Sequence, residues 1–403
     1  MRQIKKIIRG VAKAFGVLRI YHFFLAWGTS AIYGHPSRKI KVVGVTGTKG
    51  KSTVVELLNS ILTSAGEMVV LSSSNRFQVG EKSWDNNTGN TMPGRGKIQK
   101  LLRDGVKAGC SYGIVEVVSE GIVQHRNKFI DFDIAVFIGL HPEHIESHGS
   151  LEKYREAKLS FFRDVKKHSK KKNKKFVLNK NNEHGKYFAE IAGDDAVFYG
   201  TYGGPLTIAG DFNRENAAAA VEVARIFGIS EDVIEKALQK FPGVPGRMEF
   251  IQEEPFRVVV DYAHTPDSLE IVYRNLKSGG GGLICVLGSA GGGRDKWKRP
   301  KLGKIASENC REIILTDEDP FDEDPVQILK EIKSGISNSK IQTSNVYEIL
   351  DRKEAIRKAV ELARDGDTVI VTGKGSEKYI RVRNGKRIPW SDRNAVLETL
   401  DKK

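Results

Sequence analysis

Cysteine is scarce. Cys110, Cys285 and Cys310 are the three in a chain of 403 residues, and with no CxxC pair among them they argue against a disulfide framework and against a structural zinc site. Such usage fits a reducing cytoplasm. No uncharged stretch is long enough to span a bilayer: Ile20 to Gly34 is nearly free of charge but reaches only about half to three-quarters of the necessary length. A small-residue cleavage site of the signal-peptide kind is also lacking, as is any short repeat of solenoid length. The cationic run from Lys166 to Lys175 contains no aromatic residue on which a base could stack, so it reads as a solvated loop, and no nucleic-acid partner is expected.

What is present points to two globular units and an additional segment, because the length exceeds what one hydrophobic core sustains. Hydrophobic residues make up 39% and charged residues 29% of the chain, enough to bury sizeable cores. A formal charge of +15 implies anionic company, whether nucleotide phosphates, a phosphorylated substrate, nucleic acid or an acidic membrane face. At the N-terminus Ile4, Ile7, Ile8, Val11, Phe15 and Leu18 recur at helical spacing between Lys5, Lys6, Arg9, Lys13 and Arg19. This is a basic amphipathic helix, and two roles stay open for residues 1–34: packing on the body of the protein, or contact with a membrane surface or protein partner.

From Lys41 the pattern alternates between strands and helices, with apolar runs at 41–45, 68–71, 113–118 and 133–138, which implies a parallel sheet covered on both faces. The turn-rich segment Phe241 to Gly246 suits a linker. A second α/β pattern follows it, with runs at 256–260, 282–287, 312–315 and 368–371.

The sharpest motif is Gly44-Val45-Thr46-Gly47-Thr48-Lys49-Gly50-Lys51-Ser52-Thr53, placed between a strand and a helix. Glycines let backbone N–H groups face phosphate oxygens, Lys51 neutralises β/γ charge, and the Ser52 hydroxyl suits Mg²⁺. Its spacing is GxxGxxGKS, with Val45 where the general pattern has its first glycine.

This loop resembles the ATP loop of the Mur ligases. Further segments match that family in order: Val115 to Gly121, His144 to Gly149, Tyr154 to Lys158, Gly210 to Asn216, Pro245 to Glu249, Asp261 to Asp267, Arg294 to Pro300 and Gly373 to Glu377. The resemblance covers residues 41–403 and is strongest to the MurE branch, which adds the third residue of the peptidoglycan stem peptide. It implies a short helical segment (1–40), a central P-loop ATP-binding domain with a parallel-type sheet (41–244) and a C-terminal Rossmann-like α/β domain (245–403). It also implies an ADP-forming ligase that makes an acyl phosphate and couples an amino acid to a carboxylate acceptor, here a nucleotide-sugar peptide.

By the same resemblance, the cofactors are ATP, Mg²⁺ held by Ser52 and Glu116, and a second Mg²⁺ near His144. Lys158 would carry a CO₂-derived carbamate that supports this second ion. Gly47 to Thr53, Asn216, Arg247 and Asp261 would bind ATP, with Asn216 at the adenine. Lys51, Lys158, His264, Lys298 and Arg299 would meet the reaction centre. Thr91, Ser119, Glu318, Asp319, Gly373 and Glu377 would meet substrate.

Departures from the family are informative. The N-terminal domain that grips the uridine diphosphate has no counterpart in the forty residues before Lys41, which keeps a folate-type or storage-polypeptide acceptor open. A P-loop protein acting on nucleic acid or membrane is the rival of another class. Where diaminopimelate-adding members have Asp-Asn-Pro-Arg, this chain has Glu318-Asp319-Pro320-Phe321. The arginine that would clamp a second carboxylate is missing, so diaminopimelate is disfavoured. The acids of 317–324 either welcome a cationic side chain such as lysine or form a solvated loop.

Overall fold

The apolar run before the glycine-rich turn is strand β1 (Lys41–Thr46). Its Val42, Val43 and Val45 are fully buried, as expected of a strand covered on both faces. The structure, a computed structural model, describes residues 17–94, 96–141, 149–277, 280–293, 295–336 and 345–401. It divides into two compact units, Met1–Pro242 and Gly243–Lys403.

The first unit opens with helix α1 (Val17–Ile32). Strands β2 (Val69–Ser72), β3 (Arg76–Val79), β4 (Lys82–Asp85), β5 (Tyr112–Glu116), β6 (Ile134–Phe137), β7 (Lys175–Asn179) and β8 (Ala196–Tyr199) join β1 in the order β4-β3-β2-β5-β1-β6-β7-β8. Only the β2-β3-β4 meander is antiparallel. The helices are α2 (Lys51–Ser64), α3 (Lys97–Lys107), α4 (Ser119–Val123), α5 (Leu151–His168), α6 (Gly185–Ala192), α7 (Asp211–Ile226) and α8 (Glu231–Gln239). Helix α2 packs on the alanine-rich α7, whose small side chains allow close approach.

The cationic run is not a free loop: α5 continues to His168 and β7 begins at Lys175. Lys166 pairs with Asp195 and Lys171 with Asp133. Helical propensity of the long basic side chains and nearby carboxylates outweigh solvation there.

In the second unit β9 (Glu249–Gln252), β10 (Arg257–Asp261), β11 (Leu283–Leu287), β12 (Glu312–Leu315), β13 (Val346–Glu348) and β14 (Thr368–Thr372) stand in the order β13-β12-β11-β14-β10-β9. All pairings are parallel except β9 with β10. Helices α9 (Pro266–Lys277), α10 (Lys298–Asn309), α11 (Pro325–Lys333), α12 (Arg352–Leu362) and α13 (Asp392–Leu400) accompany the sheet, and β15 (Tyr379–Val382) pairs with β16 (Lys386–Pro389) as a hairpin. Strand order reverses between β11 and β14. In open α/β sheets, ligands bind beyond the strand ends at such a switch point.

One expectation from composition fails here. Cys285 in β11 and Cys310, the residue after α10, form a disulfide with Cα atoms 6.1 Å apart. The β11-α10-β12 crossover returns the chain beside its starting strand, so 25 residues of separation become contact. Cys110 is free and buried.

Candidate active site

The turn after β1 leads into α2 through Gly50, which has φ +80° and acts as the helix cap. A Cβ at Gly50 would lie 2.2 Å from Asn216 Oδ1, and one at Gly47 would lie 2.3 Å from Ile138. Both glycines are therefore demanded by space, and Asn216 of α7 is seated against the loop. Gly44 answers a different need, since a Cβ there would meet the rings of Phe161 and Phe132; its absence permits close packing of α5 on β1.

Lys51 Nζ donates to the carbonyls of Gly47 (3.0 Å) and Thr48 (2.8 Å), which holds its ammonium over the loop at the N-terminus of α2. Backbone amides, helix dipole and cation together form an anion site. Thr48, Ser52 and Thr53 are buried beneath it, and Lys49 is half-buried. Tyr154 OH donates to Thr48 Oγ1 at 3.4 Å.

Parallel pairing places Val45 of β1 opposite Glu116 at the end of β5. The Glu116 carboxylate, 2% exposed, consequently reaches the first turn of α2, where Ser52 Oγ donates to it at 3.3 and 3.4 Å. Ser74 holds it from the other side, with N to Oε2 at 2.8 Å and Oγ to both oxygens at 2.9 Å. Ser74 Oγ also meets Thr91 Oγ1 at 3.1 Å. This is an oxygen-only cluster beside a phosphate cradle, which fits a hard divalent ion. Among the described residues no three His, Cys, Asp or Glu side chains converge. A metal here would thus rely on Glu116, hydroxyls, water and phosphate oxygens, the usual pattern for Mg²⁺.

Lys158 lies on α5, 1% exposed, and its Nζ donates to Gly47 O at 2.8 Å while passing 4.6 Å from the centre of the Tyr154 ring. The structure thus brings Lys158 to the loop through backbone contact. His144 falls outside the described residues. Ser119 is buried at the start of α4.

In the second unit, Gly246 can approach the 373–377 loop because it has no side chain: a Cβ would lie 2.1 Å from Ser376 N. The neighbouring Arg247 guanidinium lies over the Tyr262 ring at 4.2 Å, and Tyr262 stacks edge-on with His264 at 4.7 Å. Asp261 is occupied by backbone amides, accepting from Met248 N and Ala263 N at 2.7 Å each. Burial pushes its carboxyl up despite those bonds and Arg247. Asp261 thus fixes the turn that presents Arg247. Lys298 is buried at the start of α10.

Arg299 is held inside its own unit at the start of α10. It is fully buried and bonded to Glu331 (2.6 Å), Glu323 (3.0 Å) and Ala290 O (3.1 Å). Its two terminal nitrogens are engaged within the unit, while its buried Nε has no hydrogen-bond partner among the described residues.

The acidic segment divides: Glu318 and Asp319 are 5% and 4% exposed, over the ends of β11 and β14, whereas Asp322 and Asp324 face solvent. Lys374 Nζ, fully buried, donates to Asp319 (2.7 Å) and to Glu377. Arg381 on β15 contacts Asp319 and, at 3.4 Å, Glu377. These two cations balance Asp319 and Glu377. Glu318 remains, with an Oε2 that has no hydrogen-bond partner among the described residues. That oxygen would be 2.5 Å from a Cβ on Gly373, so the glycine keeps space open beside it.

Residues 45–205 match the Mur ligase middle domain and residues 246–375 the Mur ligase, glutamate ligase domain. This chain belongs to the Mur ligase family. A relative described as UDP-N-acetylmuramyl-tripeptide synthetase, from Roseiflexus sp., is 36% identical to this Mur ligase over 90% of the chain and 79% of its own length. A solved UDP-N-acetylmuramoyl-L-alanyl-D-glutamate--2,6-diaminopimelate ligase shares 30% identity with a TM-score of 0.61, over 90% of this chain and 78% of the other. At 15% identity, Mycobacterium tuberculosis folylpolyglutamate synthase shares the fold, with a TM-score of 0.69 over 87% of this chain and 92% of the other. The relatives put this Mur ligase among the MurE-like, ATP-dependent amide ligases.

Three residues of the sites escaped sequence reasoning. Ser74 sits in a plain polar stretch after an apolar run, Lys374 lay inside a matched motif without a role, and Arg381 had no local signal at all.

Proposed function

We propose that this Mur ligase phosphorylates a carboxylate of a UDP-N-acetylmuramoyl peptide and couples the resulting acyl phosphate to an amino acid with a cationic side chain. The observation that carries the reading is the Ser52–Glu116–Ser74 cluster beside the Lys51 cradle. Mg²⁺ held by Ser52 and Glu116 would screen the β/γ-phosphates and stabilise charge on the transferring group. Lys51 and the amides of Gly47 to Ser52 bind and orient the triphosphate. Asn216, seated at Gly50, offers an amide that both donates and accepts, suited to adenine.

Lys158 is the candidate for carbamylation, since it is buried on α5 with its Nζ beside the loop at Gly47 O. Its carbamate would supply a carboxylate-like group beside the loop. The work belongs in the cytoplasm, where nucleotide-linked precursors and ATP are found.

For the amino acid, the free Glu318 oxygen favours an ammonium, and Phe321 offers no clamp for a second carboxylate. Arg381 supplies a guanidinium nearby, but it is committed to Asp319 and Glu377.

Purified protein with ATP, Mg²⁺ and UDP-muramoyl dipeptide should release phosphate on addition of lysine or ornithine, with ¹⁸O passing from the acceptor carboxylate into phosphate. Phosphate release that requires glutamyl-folate, or that carries no label, would reject the reading. Turnover with diaminopimelate in preference to lysine would reject the amino-acid assignment alone. Lys158→Ala should be inactive, and full activity would remove the carbamate from the scheme.

A further inference from the structure

The first forty residues carry eight Lys and Arg, and no Asp or Glu occurs before Glu56. Within this acid-free stretch, 20–37 holds neither a lysine, an arginine nor an acid. Helix α1 lies in it and is held to the body along one side. Ser30 Oγ donates to Phe129 O at 3.1 Å, the Phe23 ring meets Phe129 at 5.2 Å, and a Cβ on Gly96 would press on Thr29 at 2.4 Å.

The opposite side faces water with the wrong chemistry for water. Ile20, Phe24 and Trp27 recur at helical spacing and are 58%, 60% and 54% exposed, flanked by Tyr21 and Ile32. A contiguous exposed face of large apolar groups marks an interaction surface. The described part of the helix, 16 residues, is roughly 24 Å long, against a hydrocarbon core of ~30 Å. No helix among the described residues is long and apolar enough to cross a membrane.

We propose that this face of α1 docks the ligase, lying flat, on an anionic lipid surface. The charge pattern selects that occupant: the stripe itself is uncharged, and the sequence on either side of it is cationic and acid-free, with Arg19 before it and Arg38 and Lys39 after it, which complements a negatively charged headgroup layer. Trp27 and Tyr21 are the side chains that settle at headgroup depth. An apolar protein groove would use the stripe but would gain nothing from an acid-free sequence of this length. Neither the phosphate loop nor Glu318 is involved, so this inference stands apart from the proposed reaction.

The test uses the full chain and vesicles of phosphatidylcholine with or without about one-third phosphatidylglycerol. Co-sedimentation should be at least tenfold stronger on the anionic vesicles and should weaken several-fold at high salt. Brominated lipid should quench tryptophan fluorescence. Phe24→Glu and Trp27→Glu together should abolish binding while ATP turnover in the absence of lipid, which reports folding, is unchanged. Equal binding to neutral and anionic vesicles, no quenching, or retention of binding by the double variant would overturn the proposal. So would a lipid-free dimer that the same substitutions dissolve, because the face would then belong to a second copy. The salt, lipid-charge and quenching results on the unaltered protein decide the matter even if the double variant fails to fold.

Discussion

Replacing Gly44 by alanine would test whether the phosphate loop and the Lys158 helix are mechanically coupled. The added methyl would stand 2.6 Å from Phe161 Cζ and 2.8 Å from Phe132 Cε1. Both rings are buried in the core, at 0% and 1% exposure. Gly44 lies in ordinary strand conformation, so the cost is steric and not conformational. Overpacking of this kind costs about 1–3 kcal/mol. At roughly 2–4 °C per kcal/mol for a unit of this size, the first unit should melt about 2–12 °C lower.

Phe161 is on α5, three residues beyond Lys158, whose Nζ lies 2.8 Å from Gly47 O. Displacing the helix therefore displaces that contact, and a misplacement of ~1 Å can cost on the order of 10²-fold in rate. Calorimetry and phosphate release measure the two effects. Adding Phe161→Leu should recover part of both losses, giving a coupling of about 0.5–3 kcal/mol in a double-mutant cycle. A Gly44→Ala protein that melts and turns over like the parent would refute the packing argument. A fall in stability with unchanged kcat would refute the coupling to Lys158.

Ser74→Ala keeps the backbone bond to Glu116 but loses both hydroxyl bonds; the Mg²⁺ concentration for half-maximal turnover should rise about 10- to 100-fold with little change in melting. Burial holds the Asp317 carboxyl up at about 6. Between the ordinary carboxylate range and that value the folded chain keeps a proton that the unfolded chain has lost, so stability falls as pH rises through the window. Asp317→Asn should therefore gain about 1–3 kcal/mol at neutral pH and nothing near pH ~3.5, read from denaturant titrations at both values. Arg352→Met leaves Asp392 buried without the guanidinium that now binds it at 2.7 and 2.8 Å. The second unit should lose about 3–5 kcal/mol, and an unchanged urea midpoint would contradict the assignment.

Sequence alone determined what is contiguous. Gly47 to Thr53 carry their chemistry in one turn, so strand, glycines, Lys51 and Ser52 are legible without a fold. The two α/β units were equally legible, because buried parallel strands write themselves as short apolar runs between helices. Tertiary structure decided everything that depends on strand order. Ser52, Ser74 and Glu116 meet because β5 lies between β2 and β1, an adjacency that no spacing along the chain encodes. The same crossing logic joins Cys285 to Cys310, seats Glu318 over Gly373 at the β11–β14 reversal, and lets Lys374 and Arg381 neutralise Asp319, an acid for which the sequence leaves solvation and cation binding equally open. Charge in a sequence is only a formal count; whether it faces water or a partner is set by which strand ends converge, and the energy of a buried charge depends on that convergence.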